Sequence, residues 1–327
     1  MINTSVEICT FMIKLFAMDR REFFKKGILA GVAAGAAITL GDFNNVFAGK
    51  TPPPSGAPGP YDLVAVKDGE PVQMFDRAIE SLGGMKSFVK KNQTVVVKPN
   101  IGWDTSPQRG ANTNPDLVKR IIEQCYSAGA KTVYVFDNTC DNWSKCYENS
   151  GIQKAVRDAG GKLVPGSSES NYQKVDVKNG KKLKDAKVHE LILSSDVFIN
   201  VPVLKNHGSS VITAAMKNHM GIVWDRGYWH RNNLNQCIAD FAGYRKPDLN
   251  IVDAYRVMTK RGPRGVSEED VVLMKSLLMS RDIVAVDAAA AKLFGTDPSK
   301  VEYITLAHAA GLGTMDLTKL NINRIKI

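Results

Sequence analysis

The sequence predicts an α/β fold with a mainly parallel sheet and helices on both faces. Short runs dense in valine and isoleucine, such as Gln93-Thr-Val-Val-Val-Lys-Pro99 and Phe198-Ile-Asn-Val-Pro-Val-Leu204, read as strands buried on both sides. Segments with a helical apolar period alternate with them, which is the order of βαβ units.

In chain order, the strand at 93–99 is followed by a helix over 114–129. Asn114 can cap that helix, Pro115 suits its first turn, Leu117, Ile121 and Cys125 share a face, and Gly129 can close it. Lys131–Asp137 is a second strand and Gly151–Ala159 a second helix. The Lys- and Asn-rich stretch from Lys162 to Lys187 reads as an exposed hairpin or insertion. The strand Asp196–Leu204 follows, then helical patterns near Val211–Asn218 and Leu234–Phe241. Asp248–Asp253 and Val271–Met279 are strands. Asp282–Gly295 is a helix closed by glycine, and Val301–Ala310 is the last helix. No linker interrupts 61–327, so these residues are expected to form a single α/β domain.

The front of the chain reads as an address. Met18-Asp-Arg-Arg-Glu-Phe-Phe-Lys-Lys26 precedes a small, mildly apolar run, Gly27–Gly41, and Arg20-Arg21 in that setting resembles a twin-arginine export signal. The run is too short and too rich in Gly and Ala to span a bilayer. Val46-Phe-Ala48 offers a signal-peptidase site, so cleavage is expected after Ala48, with Met18 as the initiator. Residues 49–60 are a Pro/Gly linker. The protein is therefore expected to be periplasmic or otherwise extracytoplasmic, with the twin-arginine machinery as a partner.

The net charge is +10; residues 1–48 hold five Lys/Arg and four Asp/Glu, so +10 − (+1) = +9 remains with the rest. No tight basic cluster with interleaved aromatics is present, so nucleic acid is not an expected partner. An anionic small molecule or cofactor suits the charge better.

Ligands of open α/β sheets bind beyond the carboxyl ends of the strands. Those ends carry Lys98 and Asn100, then Asp137 and Asn138, then Lys205, Asn206 and His207, and finally Asp253. Ser209 or Ser210 is expected to cap a helix whose N-terminus, beside Lys205, forms an anion site. Lys217, Asn218 and His219 end that helix before Gly221. His207, His219 and His230 are the weak candidates for a metal. Their spacings, eleven and ten intervening residues, match no zinc signature.

Cys125 and Cys237 read as core thiols. Cys140 and Cys146 permit a small disulfide loop, with paired metal-ligand thiolates or two free thiols as alternatives. There is no Gly-x-Gly-x-x-Gly after the first strand, no P-loop, no nucleophile elbow and no run of four close cysteines.

Val96-Val-Lys-Pro-Asn100, Asn200-Val-Pro-Val-Leu-Lys-Asn-His207, Met216-Lys-Asn-His-Met-Gly221 and Asp282-Ile-Val-Ala-Val-Asp287 together resemble the domain-of-unknown-function 362 family over roughly residues 61–320. The resemblance implies an α/β protein, often with a fused iron–sulfur module. Since this chain lacks such a module, an inherited redox role would need a separate iron–sulfur partner. The expected function is a cationic crevice that binds an anionic small molecule or a metal or redox cofactor of unspecified identity, in an oxidoreductase or in a non-catalytic solute-binding or accessory protein. Lys205, His207, Lys217, Asn218 and His219 are its catalytic candidates. Lys98, Asn100, Asp137, Asn206, Ser209 and Asp253 are its ligand-binding ones.

Overall fold

The computed structural model describes residues 61–327 together with Val46. The export signal with Arg20 and Arg21, the start at Met18, the cleavage point and the Pro/Gly linker lie outside the described residues.

The runs of β-branched residues form the strands. β1 (Leu63–Lys67) leads to α1 (Pro71–Ser81), and β2 (Thr94–Pro99) leads to α2 (Pro115–Ser127). The Asn114 side chain caps α2 by accepting from the Asp116 and Leu117 amides, and Pro115 occupies a first-turn position that needs no N–H. Next come β3 (Thr132–Val135), α3 (Trp143–Asn149), α4 (Ile152–Asp158) and β4 (Lys162–Leu163). The Lys/Asn-rich insertion forms an antiparallel hairpin of β5 (Tyr172–Asp176) and β6 (Asp185–His189), followed by α5 (Glu190–Ser194).

The long strand expected at 196–204 divides at Pro202, which has no amide to donate. Its parts are β7 (Val197–Val201) and β8 (Val203–His207). The helix expected over 211–218 is mostly absent. Val211-Ile-Thr213, β-branched throughout, forms β9 antiparallel to β8, leaving only the one-turn helix α6 (Ala215–Asn218). α7 (Arg226–Arg231) and α8 (Leu234–Ala242) precede β10 (Leu249–Met258) and β11 (Val271–Ser280). α9 (Ile283–Leu293), α10 (Glu302–Ala309) and β12 (Ile322–Lys326) complete the chain.

The main sheet has ten strands in the order β12-β1-β11-β10-β7-β2-β3-β4, with β8 on β10 and β9 on β8. Pairings among β2, β3, β4, β7 and β10 are parallel, as are β8 on β10 and β12 on β1; β11 and β9 run against their neighbours. Strand side chains alternate between two cores. Val95, Val97 and Ile199 pack with α1, α2 and α4 on one face. Val96, Phe198 and Val252 pack with α8, α9 and α10 on the other. The expected mainly parallel sheet with helices on both faces is what the structure shows. Among the described residues, no helix is long and apolar enough to cross a membrane.

Candidate functional site

From β2 the chain crosses to β3 on one side; from β7 it moves toward β8 and β10 on the other. Between β2 and β7, the connections diverge at the carboxyl ends of the strands, and a crevice opens there. The cavity is about 530 Å³, lined by Lys98, Asn100, Asp137, Lys205, His207, Lys217, Asn218, Gly221, Arg226 and His230, with Trp103 and Cys140 among the others.

Each lining side chain has a local reason to be there. In β2, Lys98 follows Val96 on the face of α8 and α9. Its Nζ donates to Asn218 Oδ1 at 2.6 Å and pairs with Asp137 Oδ1 at 3.0 Å. Asp137 lies just beyond β3, and its Oδ2 accepts from the Ile101 amide at 2.7 Å. Both charges are buried, and burial lowers the Lys98 pKa despite the carboxylate beside it. Gly221 passes over this pair: a Cβ there would sit 1.9 Å from Asp137 Oδ1 and 2.5 Å from Lys98 Nζ.

In β8, alternation puts Lys205 and His207 on the cavity side and turns Asn206 away. Lys205 Nζ donates to Ala111 O at 2.5 Å and to Asn100 Oδ1 at 3.3 Å, both neutral acceptors. Burial foremost pushes its pKa down to about 7. His207 Nδ1 accepts from the Ser209 amide at 3.1 Å, and its ring stacks 6.5 Å from that of His230. Burial, with the nearby lysines, lowers the His207 pKa to about 3, and burial lowers that of His230 as well.

α6 brings in Lys217 and Asn218. It has no capping residue of its own, but Asp287 from α9 accepts from the Ala215 and Met216 amides at 2.6 and 3.0 Å. Burial raises the Asp287 carboxyl to about 7. Asn218 donates to Asn200 Oδ1, and Asn200 to Asn250 Oδ1, forming a chain of buried amides that runs into the sheet.

The structure thus gathers Lys98, Asn100, Asp137, Lys205, His207, Lys217 and Asn218 around one cavity. Four other expectations are corrected. Asn206 accepts from the Gly262 amide and does not line the cavity. Ser209 is exposed in the turn after β8, and because β9 replaces the expected helix, no helix N-terminus forms an anion site there. Asp253 lies inside β10, which continues to Met258 along its partner β11. Its carboxylate accepts from the Asn114 and Tyr255 amides, docking the start of α2 away from the crevice. His219 is wholly buried beside Phe198 and Phe241, and burial lowers its pKa to about 3.

His207 and His230 therefore come together without His219, and among the described residues no group of three or more His, Cys, Asp or Glu is placed to hold a metal ion. Cys140 and Cys146 are free thiols, Cys140 at the cavity and Cys146 buried in α3, so of the three alternatives the structure shows two free thiols and no disulfide loop. Arg226 was not marked by any sequence motif. It lines the cavity while donating to Asn138 O and Thr139 O at 2.7 and 2.6 Å. Gly221 and Asp287 fall inside quoted motifs, but only the fold shows what they do.

Among known proteins, the chain is 26% identical over 250 residues to the thylakoid-associated protein sll1697 of Synechocystis sp., covering 72% of this chain and 73% of that one. Among solved structures, it matches the lactate racemase apoprotein from Thermoanaerobacterium thermosaccharolyticum at 12% identity and a TM-score of 0.41, covering 68% of this chain and 55% of that one. The chain thus spans little more than half of that structure. The family described as a domain of unknown function, DUF362, matches residues 95–292, which include Lys98, Asp137, Lys205, Lys217 and Asp287, and the chain belongs to that family.

Proposed function

We propose that the crevice binds an anionic small molecule. One observation carries the reading: Lys98, Lys205, Lys217 and Arg226 surround the cavity, while Asp137 is the one carboxylate lining it among the described residues. Buried cations without counter-charges are costly. Burial drives Lys205 to about 7 and Lys217 to about 8, so an anion in direct contact with either lysine would restore the charge of that lysine. His207 and His230 line the same cavity, where the charge of a bound anion would raise their lowered basicity toward the range that serves proton transfer. Export through the twin-arginine route is part of the same proposal; it rests on Arg20-Arg21 and the run after them, and on a relative named as thylakoid-associated.

Thermal denaturation with sulfate, phosphate and small dicarboxylates against sodium chloride of equal ionic strength tests the binding. At a hundredfold excess over its Kd, a bound anion adds about 2.7 kcal/mol of stability. The wild type should show that gain with at least one anion, and Lys205→Met should lose it. No specific gain in the wild type, or an equal gain in the variant, would remove the proposal. The same crevice serves an enzyme or a solute-binding protein, and turnover separates the two.

A further inference from the structure

The three lysines of the crevice are held differently. Lys98 has a carboxylate and an amide oxygen, and Lys205 has a carbonyl and an amide oxygen. Lys217 is only 8% exposed and lines the cavity, yet its Nζ donates only to Met220 Sδ, at 3.1 Å, among the described residues. A thioether is a weak acceptor, so an amine with three donors is buried with its hydrogen-bonding capacity almost unused. Its backbone is fixed, because Asp287 anchors the first turn of α6. The imidazoles of His207 and His230 line the same cavity, and both feel its charge.

We propose that Lys217 is a nucleophilic amine that condenses with the carbonyl of a small oxoacid held in the crevice. The proposal deepens the anion-binding reading and rests on it, with Lys205 and Arg226 as the cations available to the carboxylate. The Nζ lone pair attacks the carbonyl carbon, the C–N bond forms and the C=O π bond breaks. His207 or His230 carries a proton from nitrogen to oxygen, giving a carbinolamine. Loss of water, formed from that oxygen and the two amine hydrogens, leaves the imine. No oxidant or reductant enters. Burial, and after it the charges of Arg226 and Lys98, bring Lys217 to about 8, which provides neutral amine near neutral pH.

The test incubates the full chain with glyoxylate, reduces with borohydride and maps the secondary amine by peptide mass spectrometry. Sulfate binding is measured on the same preparation by calorimetry. At pH 7.5 the adduct should form at Lys217 at least ~10-fold above an exposed lysine such as Lys90, given its larger neutral fraction. Lys217→Arg should lose that adduct while melting cooperatively. Sulfate binding with adducts only on surface lysines, or only on Lys205, overturns the amine proposal and leaves the anion reading standing. Neither sulfate binding nor an adduct removes both. The mapping on the wild type decides even if the variant does not fold.

Discussion

Gly221→Ala is expected to cost about 3–5 kcal/mol, the range for breaking a buried charge pair. Glycine is needed here for space. The new methyl would lie 1.9 Å from Asp137 Oδ1 and 2.5 Å from Lys98 Nζ, well inside van der Waals contact. Neither partner can yield easily. Asp137 Oδ2 is tied to the Ile101 amide, and Lys98 to Asn218. The backbone cannot retreat either, since Gly221 O accepts from the Asn138 amide at 3.0 Å. Urea denaturation measures the loss. A change of less than ~0.5 kcal/mol, ordinary for a surface site, would show that the backbone does not press on the pair.

Asp137→Ala is expected to lose a similar amount, about 3–5 kcal/mol, for a different reason. Lys98 is 1% exposed, and removing its counter-ion leaves a buried ammonium with only the Asn218 amide oxygen. The Ile101 amide also loses its acceptor. The two substitutions act on the same atoms, so their costs should not add. In Asp137→Ala the oxygen that the Gly221→Ala methyl would strike is gone, and the double variant should lose clearly less than the sum of the single losses. Additive losses would mean that Gly221 and the ion pair are separate features.

Much of the fold is legible in the chain because local signals and packing agree. Gln93–Pro99 is apolar on both faces and becomes a central strand. The Asn114-Pro115 start and the Leu117/Ile121/Cys125 stripe give α2 nearly its observed limits. The segment 209–218 is misread because its apolar spacing suits a helix while its β-branched residues suit a strand. The edge of β8 decides between them, and that edge is a tertiary fact.

At the site, Lys98 and Lys205 are legible as polar residues where apolar strands end, and Lys217 as a polar residue at the end of a helical pattern before Gly221. Asn206 shows the limit of that reasoning, since one step along a strand reverses the side chain's direction. Asp253 fails because β10 runs on beside β11, which sequence spacing cannot reveal. Arg226 has no pattern around it. Asp287 sits in a run of small apolar residues that looks like plain helix core, and its role requires α6 to come to it across 72 residues of chain.

The anion-binding account is tested most directly by sulfate affinity from pH 6 to pH 9, measured by calorimetry on the wild type. Sulfate keeps its charge across this range, so the protein's groups set the trend. An anion selects protonated lysine. Once the pH passes the free-state value of Lys205, about 7, the competent fraction falls, and Lys217 follows from about 8. The account predicts affinity steady near pH 6 and weakening by about tenfold per pH unit between 7 and 8, with a steeper fall above 8. Affinity that stays flat from pH 6 to 9, or rises with pH, would contradict it.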